Sequence, residues 1–103
     1  MDTTKVKEEW IKLRPQLEAA KSAVRDKVQQ RDYLLDALHA VDVSVELLKK
    51  DNCNTDLMEQ QKLQVVEYLQ TANNDLQKVT CDFNEIKMEA QSLVNDITND
   101  LVI

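Results

Sequence analysis

Apolar side chains recur at alternating intervals of four and three residues along most of this chain. Val6, Trp10, Leu13, Leu17, Ala20, Val24, Lys27, Arg31, Leu34, Leu38, Val41, Val45 and Leu48 follow that spacing, and only Lys27 and Arg31 are polar. Met58, Lys62, Val65, Leu69, Ala72, Leu76, Val79, Phe83, Ile86, Ala90, Leu93 and Ile97 repeat it, with Lys62 the one polar member. A 3.5-residue period held over about six heptads is the signature of a coiled coil, in which positions a and d of the heptad abcdefg form the buried seam. The fold expected is all-α.

The pattern stops between the two runs. Lys49-Lys50-Asp51-Asn52-Cys53-Asn54-Thr55-Asp56 contains no seam residue. Lys49 and Lys50 suit the negative end of a helix. Asn52 or Asn54 is able to take the left-handed conformation that ends a helix, since the chain has no glycine for the task. Asp56 with Glu59 makes a D-x-x-E helix start, and Thr55 is a competing cap. The spacing therefore predicts helices over about 4–50 and 56–101, joined by a loop over about 51–55, in one hairpin domain covering 1–103. Pro15 removes a helical hydrogen bond and crowds the preceding turn, at a cost of about 3 kcal/mol. The heptad runs through it in register, so a kink near Pro15 is expected, with a clean break as the alternative.

An antiparallel two-helix coiled-coil hairpin folded at residue 53 pairs seam residues whose numbers sum to 106 or 107. Leu48 then meets Met58, Val45 meets Lys62, Lys27 meets Val79, and Trp10 meets Ile97. Two parallel chains would use the same seams. Among the polar seam residues, Lys27 and Arg31 are expected to reach Asp75 and Asp82, and Lys62 to reach Asp42 or Glu46. Their aliphatic stems would cover the seam while their charged ends stay in water.

Composition excludes several functions. Phosphate-cradling loops need glycine, and there is none. Residues 1–50 hold ten Lys/Arg and nine Asp/Glu, whereas residues 51–103 hold three and ten. An acidic second half disfavours nucleic acid and anionic membranes, which reward Lys and Arg. No apolar run is long enough for a membrane span, and the first residues lack a signal-peptide core. Cys53 and Cys81 would lie roughly 40 Å apart along one helix and its entry. A disulfide needs Cα atoms within about 7 Å, so free thiols and a cytoplasmic setting are expected. His39 is the only histidine. No Cys/His spacing suits a zinc site and no nucleophile–histidine–acid set can be assembled, so no enzyme, metal, cofactor or small-molecule substrate is expected.

Apolar residues also stand off the seam: Ile11, Val28, Tyr33, Leu35 and Leu47 in the first run, and Leu63, Val66, Tyr68, Val94, Leu101 and Ile103 in the second. An apolar stripe wider than a strict coiled-coil seam implies packing on a second side. The occupants expected are other coiled-coil proteins or a second copy, completing a bundle. Val28, Tyr33, Leu35, Val66 and Tyr68 are the candidate partner-binding residues.

The stretch Glu9-Trp10-Ile11-Lys12-Leu13-Arg14-Pro15, then a long heptad helix, a short loop and a second helix with Leu69-Gln70-Thr71-Ala72-Asn73, resembles the Snapin-like small coiled-coil subunits. Those belong to complexes that build lysosome-related organelles and position lysosomes. The resemblance implies a non-enzymatic subunit of a multi-protein complex at the cytosolic face of endosomes or lysosomes. Length and an early tryptophan also resemble a spectrin-type repeat, which implies a structural spacer or cytoskeletal rod repeat instead.

Overall fold

A computed structural model describes residues 3–102, and the side chains of residues 4–99. Two α-helices account for all of them but residues 51–55: α1 over Thr3–Lys50 and α2 over Asp56–Val102. No strand occurs among the described residues. Pro15 lies inside α1 without interrupting it, so the clean break does not occur. Its ring is exposed, as is Ile11 one turn before it. Water can therefore reach the carbonyl that lost its helical donor.

The loop explains how a glycine-free chain turns. Asn52 has φ of 56°, the left-handed value for which asparagine is one of the few tolerated residues. The Cys53 amide donates to the Leu48 carbonyl at 2.9 Å, and the Asn52 amide to Lys49 at 3.2 Å. Those two bonds form a Schellman motif, which satisfies carbonyls that α1 would otherwise leave open. Lys49 and Lys50 occupy the last turn, where cations are favoured.

The start of α2 is decided for Thr55. Its carbonyl accepts the first helical bond, from the Glu59 amide at 2.9 Å, so Thr55 is the cap and Asp56 the first helical residue. The Asn54 side chain accepts the Asp56 amide at 2.9 Å. Asp56 and Glu59 act instead through charge, as acids in the positive first turn.

The chain forms two compact units, each built from stretches of both helices: unit 1 from Met1–Arg25 and Gln77–Ile103, unit 2 from Asp26–Leu76. In unit 1, Val6, Leu13, Ala90 and Leu93 are buried, and Leu17, Val24, Phe83 and Ile86 are half-buried. In unit 2, Val45 and Ala72 are buried, and Leu34, Leu38, Val65, Leu69 and Leu76 are half-buried. All of these are seam positions. No large described side chain is fully buried, because a helix facing one partner shields its seam from one direction only. Trp10 and Ile97, expected in the seam, are 37% and 39% exposed. An indole is too large for two helices to enclose.

The polar seam residues report the register of unit 2. Lys27 Nζ lies 3.5 Å from Asp75, and Lys62 Nζ 2.7 Å from Asp42. Asp75 is four residues before Val79, and Asp42 three before Val45, the expected layer partners. Both displacements have the same sense. They indicate that Lys27 lies level with Leu76 and Lys62 level with Val41, correcting the layers drawn from the sequence. In the corrected register each a position faces a d position. Position a leans to one side of the seam and d to the other, so a level antiparallel layer takes one of each. Arg31 does not reach Asp75 or Asp82; its guanidinium turns to the adjacent Asp32 at 3.2 Å.

Candidate interaction surfaces

Antiparallel pairing fixes which flanking positions share a side. The e positions of both helices line one side of the seam, with b beyond them, and the g positions line the other, with c beyond. The ion pairs follow this rule. Asp42, at e, takes Lys62 on the first side, and Asp75, at g, takes Lys27 on the second. The hydrogen bond and charge of Asp42 raise the Lys62 ammonium pKa above its ordinary value.

The five candidate partner-binding residues all lie in unit 2, but they divide between its two sides. Val28, Leu35 and Val66 occupy e positions. Val28 and Val66 are half-buried against the seam, and Leu35 is 45% exposed. Leu63, at b, extends this patch outward. Charged residues surround it: Asp32, Asp42, Glu46, Lys49 and Glu59 stand at e or b on the same side.

Tyr33 and Tyr68 occupy the opposite side, at c and g, and are 74% and 55% exposed. On α1 this side carries Gln30, Tyr33, Ala37, Ala40, Ser44 and Leu47. On α2 it carries Leu57, Gln61, Gln64, Tyr68 and Thr71. None of these is charged, in a chain that is 31% charged, although the same side of unit 2 becomes charged beyond them, at Asp26 (c) and Asp75 (g). Ala37 and Ser44 are half-buried, whereas Leu47 and Leu57 are well exposed. The Gln64 amide donates to the Tyr68 hydroxyl at 3.2 Å, setting the outer end of that ring. The sequence places each residue on its helix but does not reveal that two uncharged strips meet in one face.

Unit 1 exposes Ile11, Met88 and Val94. The side chain of Leu101, and Ile103 altogether, lie outside the described residues. Glu9, Lys12, Leu13 and Gln16 line an open groove with Glu89, Ser92, Leu93 and Asp96. Its charges are predominantly acidic and all of its charged residues are exposed.

Cys53 and Cys81 are exposed free thiols. His39 is exposed as well. Among the described residues no three His, Cys, Asp or Glu side chains gather closely enough to hold a metal ion. No helix of the described residues is long and apolar enough to cross a membrane. No protein-family model matches the chain, and neither the curated proteins nor the solved structures contain a match to it.

Proposed function

We propose that this chain is a non-enzymatic assembly subunit whose hairpin supplies coiled-coil faces to a multi-protein complex. The observation that carries this reading is the exposure of apolar side chains off the seam, on both sides of unit 2. Tyr33, Leu35, Leu47, Leu57, Leu63 and Tyr68 are between 45% and 74% exposed. Isolated surface apolar residues are ordinary, but clusters of them beside a thin core favour further helices. A function in vesicle trafficking, at the cytosolic face of endosomes or lysosomes, rests on the Snapin-like resemblance alone, carried by Glu9 to Pro15, the helix–loop–helix pattern and Leu69 to Asn73.

The test is co-purification of the chain from cells at its natural level, followed by the native mass of what elutes. The wild type is expected in a hetero-complex with other coiled-coil proteins. Val28→Asp with Leu35→Asp should release those proteins while leaving the helical circular dichroism of the purified variant nearly intact. A wild-type chain that elutes free as a cooperatively unfolding monomer would overturn the assembly reading and favour the rod-spacer one. Full retention of the complex by the double variant would remove the Val28–Leu35 side from it.

A further inference from the structure

The uncharged stretch of this side of unit 2, over residues 30–47 of α1 and 57–71 of α2, has a symmetry that points to its occupant. Its α1 strip is large at both ends and small in the middle, whereas its α2 strip carries Gln64 and Tyr68 near the middle and the small Thr71 at one end. Tyr33 and Leu47 stand seven residues on either side of Ala40 on α1, and Thr71 and Leu57 seven residues on either side of Gln64 on α2. In the register of the two ion pairs, Ala40 and Gln64 lie at the same level. A two-fold axis through that level would lay α1 on α1 of a second copy, running the opposite way. Tyr33 of one copy then meets Leu47 of the other, and the reverse, across the small residues Ala37, Ala40 and Ser44. Self-complementarity of this kind is what a two-fold interface requires.

Charge favours the same occupant. Each copy carries a net charge of −6, so most approaches of two copies bring like charges together. The uncharged side avoids such pairs. Over residues 30–47 of α1 and 57–71 of α2 it also lacks the flanking charges by which coiled coils select a different partner, and Asp75 beyond that stretch is paired with Lys27 of its own chain. Its extent is sufficient for a weak dimer. The strip from 30 to 47 is about 25 Å long and two helices are about 20 Å wide. That gives about 500 Å² per copy and about 1,000 Å² in all, near the lower bound for a specific interface.

We infer that the chain pairs with a second copy through the Tyr33–Ala40–Leu47 side of unit 2, forming an antiparallel four-helix bundle. This rests on the assembly reading and names one of its partners. Sedimentation equilibrium of the purified full chain tests it. The wild type is expected to pass from 11.9 kDa to twice that mass over the micromolar range. Added salt should tighten the dimer, because it screens repulsion between acidic copies without weakening an uncharged contact.

Tyr33→Glu with Ala40→Glu places four carboxylates in the interface of the dimer. Both positions are exposed, so the hairpin tolerates them. The dimer should weaken by at least about 100-fold, since facing like charges cost several kcal/mol. Leu35→Asp, on the other side, should leave it unchanged. A wild type that stays monomeric at every concentration overturns the inference, and so does a dimer lost with Leu35→Asp but kept by the Tyr33/Ala40 variant. Either result leaves the assembly reading to be judged by co-purification, where a hetero-complex would still sustain it.

Discussion

Replacing Asn52 by alanine tests the turn on which the hairpin depends. Asn52 sits at φ of 56° and its amide closes the Schellman motif with the Lys49 carbonyl at 3.2 Å. A Cβ with no polar group costs about 1–2 kcal/mol in the left-handed region. Asparagine recovers part of that cost, because its short amide makes local hydrogen bonds. The expected loss for Asn52→Ala is therefore about 1 kcal/mol. In a domain of this size that lowers the melting temperature by about 4–8 °C. Asn52→Gly keeps the conformation and gains freedom in the unfolded chain, two effects that oppose each other. It should stay within about 0.5 kcal/mol of the wild type. Urea unfolding followed by helical circular dichroism measures both variants, at unchanged m-value. Equal stability of Asn52→Ala and the wild type would show that α1 does not end through a left-handed Asn52. A glycine variant less stable than the alanine variant would show the same.

Two further outcomes follow from the seam and its ion pairs. Leu93 is 7% exposed in a layer that two helices close, so Leu93→Ala should cost about 2–3 kcal/mol, at the lower end for a buried leucine; a loss under about 0.5 kcal/mol, the scale of a surface substitution, would place Leu93 outside the core. The raised Lys62 pKa means that the folded state holds this proton more tightly than the unfolded one. The Lys62–Asp42 contribution is then full below the unfolded lysine pKa and is lost as pH rises through the folded one. Denaturant midpoints should fall more steeply with alkaline pH in the wild type than in Asp42→Asn, and parallel slopes would refute the pairing.

Which parts of this fold are legible in the sequence depends on the range of the interactions behind them. The 4-3 spacing assigns each residue an angular position on its own helix, so the seam from Val6 to Leu48 and from Met58 to Leu93 is readable directly. The absence of seam residues from 49 to 56 marks the loop for the same reason. Local chemistry narrows its caps to a few candidates, and hydrogen bonds select Asn52 and Thr55 among them. Pro15 is harder to read, because its cost depends on solvent reaching the freed carbonyl. Arg31 and Trp10 mislead for a related reason. A guanidinium has several carboxylates within reach, and an indole needs more neighbours than one facing helix supplies.

The interaction surfaces lie beyond the range of local pattern. Periodicity gives the phase of each helix separately; it does not give the axial offset between two helices. That offset is a tertiary quantity, set here by the five-residue turn and marked by Lys27–Asp75 and Lys62–Asp42. Once it is set, Tyr33 and Tyr68 join one uncharged stretch, while Leu35 and Val66 join another side ringed by charged residues. The sequence by itself determined the helices, their apolar seam and the place where the chain turns, because those follow from contacts between near neighbours and from side-chain period. Only the tertiary structure decided which flanking residues share a face, because that depends on how far one helix slides along the other.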